Sequence, residues 1–338
     1  MSVDDFIWRM KQYIQYVFGD IKLVLQKKYT FKDYFFWRTK FYSCSKKTNV
    51  TFYVIRRRSG HRKLEGSQRM GLAGLALFTL GDIQYAIKKK YIPIIDFMTY
   101  SNTYLTLDEV NQYNAWDFFF ESEFLMNIDE LKNKGNVIIS NGILKESMPS
   151  YDLLMENEPS EIELSMWKKL ADKYLVLNAS LKKRVNNYLK ENILGDKVLG
   201  VLCRGTDYLL LHPKGHPIQP DPEVVVEKAA ELMKGMCIDK IYLATEDINI
   251  YKKFKLHFGE KLLTYSIPDM KYQRGYLVDN LENDARIRKT HGENYLISIS
   301  ILSQCNSFIG GITSGTILAL ILSNGYEYIH YWRYGYYK

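Results

Sequence analysis

Arg204 is the residue of this sequence best placed for chemistry, because it ends the apolar segment KVLGVLC and precedes Gly205, Thr206 and Asp207. A guanidinium at the end of a buried strand stays charged at physiological pH and can bind a diphosphate through two parallel hydrogen bonds. Asp207 can orient that arginine. The same two side chains could instead form an ion pair that only stabilises a turn.

A second polar loop follows the predicted strand DKIYLA and contains Thr245, Glu246 and Asp247. Acidic side chains at this position can hydrogen-bond a ribose or the edge of a base. Asp247 can equally cap the next helix, because Asp is a preferred residue at a helix N-terminus. The sequence allows both roles.

A third loop, after the predicted strand NSFIGG, combines glycines, hydroxyls and the start of a helix in Thr313, Ser314, Gly315 and Thr316. Backbone N–H groups at a helix N-terminus bind anions such as a diphosphate. The loop lacks the lysine of a P-loop and the spacing of G-x-G-x-x-G. It therefore indicates a general anion site, or alternatively a purely structural turn.

No metal site is predicted. The chain contains no Asp-x-Asp pair, and its six histidines are scattered, with His212 and His216 beside prolines rather than on one helical face. Zinc sites need a closer set of Cys, His or carboxylate ligands. There is no G-x-S-x-G motif of a serine hydrolase either.

The three loops would meet if the C-terminal part of the chain forms one sheet. From residue 196 onward, strand and helix patterns alternate, and the helix pattern PDPEVVVEKAAELMKG has Pro at its start and Gly at its end. Such alternation predicts a Rossmann-like domain that binds ligands at the carboxyl ends of its strands. A β-loop-α-β pattern that begins near residue 50 predicts a second α/β domain.

Composition fits two globular domains. The 338 residues are 46% hydrophobic and 25% charged, which is typical of proteins with packed cores. Four scattered cysteines without a C-x-x-C spacing indicate free thiols in the reducing cytoplasm. Residues 294–326 carry no charge, but their Ser, Gln, Asn and Gly residues predict helix, strand, turn and helix rather than a membrane span.

The net charge of +8 is concentrated near the N-terminus, where residues 1–65 contain fifteen Lys and Arg against five Asp and Glu. The positive charge is thus confined to residues 1–65, whereas the loops at the strand ends lie later in the chain. This separation argues against a nucleic-acid-binding protein. Residues 3–28 have apolar positions spaced three and four apart, which is typical of a helix. That helix either packs on the protein body or lies on the inner face of a membrane.

Taken in order, these segments resemble the α1,6-fucosyltransferases, including the nodulation enzymes, and the wider protein O-fucosyltransferase superfamily. KVLGVLCRGTDY is similar to their first motif, DKIYLATED to their second, and ISILSQCNSFIGGITSGTILAL to their third. The unit that begins TFYVIRR and the aromatic segment NAWDFFFESEF also fit. The similarity covers most of residues 50–325.

The resemblance implies a GT-B-like fold, in which two Rossmann-like α/β domains face a cleft. It also implies a GDP-fucose donor, inversion at the sugar carbon and no metal. The expected parts are a basic amphipathic region at 1–49, an acceptor-side domain at 50–192 and a nucleotide-sugar-binding domain at 193–338. The expected donor-binding residues are Arg204, Thr245, Glu246, Asp247, Thr313, Ser314, Gly315 and Thr316.

The sequence departs from the family motifs at several positions. Leu202 replaces a histidine, Gly205 replaces a second arginine, and Glu246 stands where an aspartate is usual. The catalytic glutamate of the α1,6 enzymes has no counterpart in LLLHPKGHP. The candidates for the general base are therefore the carboxylates of Glu121, Glu123 and Asp207, beside Arg204 as the group that stabilises the leaving diphosphate.

Two other functions remain open on the sequence. The chain could be a non-catalytic protein that binds a glycan or another polyanion on a degenerate transferase fold, or a transferase with a different nucleotide sugar. For the enzyme, the expected acceptor is a glycan or a lipid-linked precursor of a surface polysaccharide. A cytoplasmic location follows, with peripheral membrane contact through residues 1–28.

Overall fold

The chain folds into two compact α/β units in a computed structural model. The structure describes residues 14, 17–22, 24–26, 31–58, 70–106, 108–122, 127–155, 161–267 and 285–338. The side chains of Asp33, Thr206, Asp207 and Ala285 lie outside the described part of the structure. One unit contains a four-stranded sheet. The other contains a five-stranded sheet and includes the continuous segment Glu146–Lys338. The predicted α/β class with two Rossmann-like sheets is confirmed.

The four-stranded sheet has the order β1-β4-β2-β3. Strands β2, β3 and β4 are parallel, while β1 pairs antiparallel with β4 at the edge. The predicted β-loop-α-β unit is present as β2, helix α2 and β3, since parallel neighbours need a crossover connection. The elements of this region are α1 Phe31–Phe36, β1 Lys40–Tyr42, β2 Thr51–Ile55, α2 Leu72–Lys88, β3 Ile92–Ile95, α3 Ile128–Lys134 and β4 Asn136–Ile139.

Helices α4 Asp152–Met155, α5 Glu161–Tyr174 and α6 Ala179–Asn192 come next in the chain and belong to the compact unit of the five-stranded sheet. Helix α5 packs on the last helix of that unit, and α6 packs on the helix before it. The domain boundary predicted at residue 192 therefore falls within the segment from Glu146 onward, which belongs to the compact unit of the five-stranded sheet. The boundary itself stays a prediction.

The five-stranded sheet has the order β7-β6-β5-β8-β9, and all its pairings are parallel. Its strands are β5 Val198–Leu202, β6 Lys240–Ala244, β7 Leu262–Leu263, β8 Ser307–Gly311 and β9 Tyr328–Trp332. Its helices are α7 Thr206–Leu211, α8 Pro222–Gly235, α9 Ile248–Phe258, α10 Ala285–Leu302 and α11 Ser314–Leu322. Strands β5 and β8 are buried throughout, as expected for a parallel sheet covered on both faces.

The apolar stretch near residue 300 forms a helix, a strand and a second helix in the order that the sequence predicts, namely α10, β8 and α11. In the described part of the chain, no helix combines the length and apolarity that crossing a membrane requires. All four cysteines are free thiols, and Cys203 and Cys305 are buried in the second unit. This agrees with the prediction of unpaired cysteines.

Candidate active site

The strand order of the second unit brings the three predicted loops to one edge of one sheet. From β5 the chain moves to β6 and β7 on one side, and then returns to place β8 on the other side of β5. Ligands of open α/β sheets bind beside the carboxyl ends of the strands where the strand order reverses in this way. Here that point lies between the loops that follow β5 and β8.

Arg204 follows β5 at this edge and is largely buried. Its Nη1 lies 3.2 Å from a carboxylate oxygen of Glu246, and the two side chains are only 15% and 13% exposed. The other carboxylate oxygen of Glu246 accepts the Gly205 N–H at 2.9 Å. The guanidinium also lies 5.3 Å from the ring centre of Tyr208. Glu246 of the β6 loop thus holds both the Arg204 guanidinium and the Gly205 backbone of the β5 loop in position.

Gly205 allows the β5 and β6 loops to approach each other. A Cβ atom at this position would lie 2.5 Å from Oδ2 and 2.9 Å from Cβ of Asp247, and 2.8 Å from Cδ1 of Ile250. These distances are shorter than normal van der Waals contacts. An arginine at position 205 would therefore have no room, because any side chain there would push the two loops apart.

The other polar residues of the β6 loop organise its turn. The side chain of Asp247 accepts the Asn249 N–H at 2.7 Å and caps α9. Thr245 Oγ1 accepts the Asp247 N–H at 3.2 Å. Both observations favour the capping role that the sequence left open for Asp247, while Glu246 faces Arg204.

The β8 loop forms the N-terminus of α11 through a reciprocal cap. Thr313 Oγ1 accepts the Thr316 N–H at 3.1 Å, and Thr316 Oγ1 accepts the Thr313 N–H at 3.2 Å. The two threonines are buried, and Thr316 Oγ1 also donates to the carbonyl of Gly311. Their hydroxyls therefore hold the helix start, which leaves partly buried Ser314 as the hydroxyl of this loop best placed for a ligand.

Gly315 is needed because Tyr295 of α10 lies against this helix start. A Cβ atom at position 315 would lie 2.6 Å from the Tyr295 hydroxyl. Burial raises the pKa of Tyr295 to about 12, the charge of Arg204 opposes that rise, and the charge of Glu246 adds to it. Tyr295 therefore remains a neutral hydroxyl near the ion pair.

Three further side chains at this edge were not identified from the sequence as site residues: Tyr151, Tyr208 and His216. The Tyr151 hydroxyl lies 3.4 Å from Ser314 Oγ and 3.5 Å from the Tyr208 hydroxyl. His216 Nδ1 lies 3.4 Å from the same Tyr208 hydroxyl. We call these three residues the tyrosine–histidine cluster. They connect the segment before α4, helix α7 and the loop after it to the start of α11.

Of the three carboxylates predicted as general bases, only the Glu121 side chain belongs to the described part of the structure, and there it makes no contact with Arg204. Glu121 is exposed, and its N–H donates to the carbonyl of Val176 between α5 and α6. Glu123 lies outside the described residues, as does the side chain of Asp207, whose backbone is in the first turn of α7. These three assignments stay predictions.

Two further observations concern the Cys203 thiol beside the site and possible metal ligands. Burial raises the pKa of the Cys203 thiol, and the charges of Glu246 and Asp247 raise it further, so this cysteine is not a thiolate nucleophile. Among the described residues, no three His, Cys, Asp or Glu side chains form a group able to hold a metal ion. The arrangement of a guanidinium, a hydroxyl and a helix N-terminus is suited to binding an anion.

No protein-family model and no curated protein matches the chain. Among solved structures, the fucosyltransferase NodZ from Bradyrhizobium aligns at 16% identity over 82% of this chain and 94% of its own, with a TM-score of 0.45. POFUT1 in complex with GDP aligns at 9% identity over 85% and 99%, with a TM-score of 0.46. A variant of Arabidopsis thaliana FUT1 with GDP aligns at 10% identity over 85% and 72%, with a TM-score of 0.43.

With all three TM-scores below 0.5, the function has to be inferred from the chain's own residues.

Proposed function

We propose that this chain is an inverting glycosyltransferase that transfers fucose from GDP-fucose to a glycan or a surface-polysaccharide precursor. The observation that carries the proposal is the meeting of three loops at the carboxyl ends of β6, β5 and β8, which are neighbours in one parallel sheet. Each loop contains a motif that resembles a fucosyltransferase motif, and their order along the chain is that of the family. The choice of fucose and GDP rests on that resemblance.

The reaction is a direct displacement at the sugar carbon. The acceptor oxygen forms a bond to this carbon while the bond to the diphosphate oxygen breaks, and the electron pair leaves with the diphosphate. Arg204, Ser314 and the backbone N–H groups at the start of α11 stabilise the growing negative charge. Glu246 orients Arg204 through the 3.2 Å ion pair and must share it with the ligand.

This arrangement makes a metal unnecessary for binding the diphosphate, since a buried guanidinium supplies the positive charge. Turnover should therefore persist in excess EDTA. Loss of turnover in EDTA with recovery on adding Mn²⁺ would show that the diphosphate depends on a metal.

A thermal-shift comparison tests the donor. A ligand that binds only the folded state stabilises it by about 2.7 kcal/mol at a concentration 100 times its Kd. GDP should raise the melting temperature more than UDP, ADP or CMP at equal concentration. Equal or greater protection by UDP would contradict the GDP-fucose assignment and favour a transferase with another nucleotide sugar.

Turnover separates the enzyme from the alternative of a non-catalytic glycan- or polyanion-binding protein. Release of GDP from GDP-fucose, measured with and without glycan acceptors, should be dependent on the protein and abolished by boiling. Protection by GDP without any release of GDP would favour the binding protein.

We also propose peripheral contact with an anionic membrane, where a lipid-linked acceptor would be available. In the described part of the N-terminal region, Ile14, Phe18, Ile21 and Leu25 are exposed apolar residues spaced four, three and four apart. This spacing places them on one face of a helix. Phe18 is 66% exposed and Leu25 is 78% exposed, so the apolar face points to solvent rather than to the protein.

The other side of this segment is attached to the protein by Asp20. Its carboxylate is fully buried, lies 3.0 Å from Nη2 of Arg38 and also pairs with buried Arg58. In α1, Phe31 and Phe35 are also exposed apolar residues, and Lys22 and Lys32, which are close to these residues in the sequence, are exposed. An apolar face bordered by lysines complements an anionic lipid surface.

A further inference from the structure

Tyr295 lies in the first half of α10, toward the carboxyl edge of the five-stranded sheet. Helix α10 leads into β8, so it runs antiparallel to the strands, and its early residues lie near the carboxyl ends of the strands. The Ser298 hydroxyl lies 2.9 Å from that of Tyr242, in the middle of β6. Tyr295 comes three residues before Ser298 on the same face of the helix, which places it about 4.5 Å nearer to that edge.

This turn of α10 is anchored on its other side by α6. Arg184 of α6 donates from Nη1 to a carboxylate oxygen of Glu293 at 2.8 Å and from Nη2 to the amide oxygen of Asn294 at 2.9 Å. Tyr295 follows these two residues directly. Its backbone is therefore held between a helix–helix contact and a contact to the sheet.

The Tyr295 hydroxyl lies at the first turn of α11. A Cβ atom at Gly315 would lie 2.6 Å from this hydroxyl, and Gly315 directly follows Ser314. Burial raises the pKa of Tyr295, and the charges of Arg204 and Glu246 act on it in opposite directions. The hydroxyl is thus close both to the start of α11 and to the ion pair of the β5 and β6 loops.

This hydroxyl is a hydrogen-bond donor that the protein itself does not use. Among the described residues, none accepts a hydrogen bond from the Tyr295 side chain. The side chain is partly buried rather than fully enclosed, so a ligand at the start of α11 can reach it. A neutral phenol beside an anion site can donate its hydrogen to a phosphate oxygen.

The end of β5 shows why a donor from α10 matters in this chain. Leu202 stands where the family motif has a histidine, and its Cδ2 would lie 3.3 Å from a Cβ atom at position 315. Leu202 and Tyr295 therefore approach the same glycine from two elements, but only Tyr295 has a polar atom there. The polar group that β5 does not supply is provided by α10.

We propose that the Tyr295 hydroxyl donates a hydrogen bond to the phosphate that leaves the sugar, together with Arg204 and Ser314; this inference rests on the proposed function. As the acceptor oxygen bonds to the sugar carbon, the bond from that carbon to the phosphate oxygen breaks and its electron pair stays on the phosphate. The proton remains on the Tyr295 oxygen throughout. The hydroxyl stabilises the growing charge without adding a charge of its own.

Tyr295→Phe tests this contact, because it removes only the hydroxyl. GDP contains the phosphate that leaves the sugar, whereas GMP does not. Tyr295→Phe should therefore raise the Kd of GDP by about 10- to 100-fold, the usual worth of a hydrogen bond to a charged group, and leave that of GMP within about twofold. Calorimetric titration of both nucleotides measures this difference. The rate of GDP release from GDP-fucose should fall by at least about tenfold.

Tyr188→Phe on α6 is the matched control. Tyr188 is also partly buried, and its hydroxyl forms no hydrogen bond with the described residues. Its ring packs instead on Tyr242 and Tyr265, with ring centres 5.8 Å and 5.6 Å apart. Tyr188→Phe should keep both nucleotide affinities and the rate within about threefold of the natural chain.

A double-mutant cycle with Gly315→Ala tests the position of the hydroxyl without any ligand. The added methyl group meets this hydroxyl in the natural chain, whereas in Tyr295→Phe it meets only Ile299 and Leu202, each at 3.3 Å. Gly315→Ala should therefore lower the melting temperature more in the natural chain than in the Tyr295→Phe background. Equal decreases in the two backgrounds would overturn the placement of the hydroxyl and the inference with it.

The outcomes separate this inference from the proposed function. A natural chain that binds GDP and releases it from GDP-fucose, combined with a folded Tyr295→Phe variant that keeps the GDP affinity or loses GDP and GMP equally, would overturn the inference alone. If the natural chain prefers UDP, the GDP-fucose assignment is wrong, and the same comparison with UDP and UMP tests Tyr295. A natural chain that binds no nucleoside diphosphate would overturn both.

Discussion

The guanidinium of Arg204 and the carboxylate of Glu246 lie 3.2 Å apart, although they come from the ends of two different strands. The same carboxylate accepts the N–H of Gly205 at 2.9 Å. The positive charge that would hold a diphosphate is therefore oriented by a carboxylate of the protein itself. Preorganised charges of this kind are the most effective in stabilising a transition state.

Replacing Arg204 should affect turnover first. Arg204→Ala should reduce turnover by about 10²–10³, as expected for the loss of one preorganised donor to a developing oxyanion. Arg204→Lys should recover little, because an ammonium cannot reproduce two parallel guanidinium contacts. Single-turnover GDP release from GDP-fucose is the measurement. A folded Arg204→Ala variant within about threefold of the natural rate would mean that another group neutralises the diphosphate.

The stability of the Arg204→Ala variant has to be measured alongside its turnover. Arg204→Ala leaves the largely buried Glu246 without its ion-pair partner, which should lower the free energy of unfolding by about 1–3 kcal/mol, between the values for exposed and buried pairs. The double variant Arg204→Ala, Glu246→Gln should regain part of this loss, because it also removes the negative charge that Arg204 balanced. Turnover should remain low in both, which separates the catalytic effect from the effect on stability.

Gly205→Ala should separate the loops of β5 and β6. Its Cβ would lie 2.5 Å from Oδ2 and 2.9 Å from Cβ of Asp247, so the backbone of at least one loop must move. Overpacking of this kind typically costs about 1–3 kcal/mol. We expect a lower melting temperature and weaker protection by GDP. Gly195→Ala is unsuitable as a control because its φ is +93°, whereas Gly235→Ala meets no atom within 4 Å at a helix end and should have little effect.

The sequence predicted the strand-end loops well because a buried parallel strand has a clear signature. The segments of β5, β6 and β8 are continuous apolar runs that end in polar residues. The strand order could not be read directly, yet alternation of strands and helices leaves few options. Capping by Asp247 was also foreseeable, since it depends on residues two positions apart.

The tyrosine–histidine cluster could not be predicted in the same way. Tyr151 precedes Ser314 by 163 residues, and their contact depends on how α4 and α5 pack within the second unit. Aromatic residues are common in this chain, which has 27 tyrosines, so no single tyrosine stands out. The edge strands β1 and β9 also gave no clear signal, because their burial is incomplete and their patterns are short.

A buried carboxyl group in the first unit should make stability depend on pH. Burial raises the pKa of Asp82 to about 6, although the charges of Arg57 and Lys145 and a hydrogen bond from the Lys145 N–H oppose the rise. A raised folded-state pKa means that the native state binds the proton more tightly than the unfolded state. The contribution of the Asp82 carboxyl group to stability is therefore fully present below about pH 4 and is lost as the pH rises through about 6.

Asp82→Asn should remove this dependence, because the amide oxygen can still accept the Lys145 N–H without a charge. The free energy of unfolding at pH 7.5 should rise by up to about 3 kcal/mol, and the gain should shrink near pH 4. Urea unfolding at the two pH values measures the difference. The exposed Asp172→Asn on α5 is the control and should change stability by less than about 0.5 kcal/mol. A destabilised Asp82→Asn at pH 7.5 would mean that the carboxylate is stabilised by its cationic neighbours.

The exposed apolar face near the N-terminus should determine membrane binding. Phe18 and Leu25 are 66% and 78% exposed, and burying each in lipid is worth about 1.5–3 kcal/mol. Phe18→Glu combined with Leu25→Glu should therefore weaken binding to vesicles of phosphatidylglycerol and phosphatidylethanolamine by at least about tenfold. Added salt should weaken the binding of the natural chain, since lysines contribute to it.

The matched control replaces two exposed apolar residues that lie elsewhere, Ile162→Glu and Leu256→Glu, which are 84% and 85% exposed on α5 and α9. This double variant adds the same negative charge, so it should bind vesicles almost as the natural chain does if the N-terminal face is the contact surface. Both double variants should keep GDP protection, because neither pair belongs to the strand-end loops. Equal loss of vesicle binding in the two would indicate that net charge alone governs the interaction. No binding of the natural chain to anionic vesicles in a sedimentation assay would exclude the membrane contact and leave the acceptor to be sought among soluble glycans.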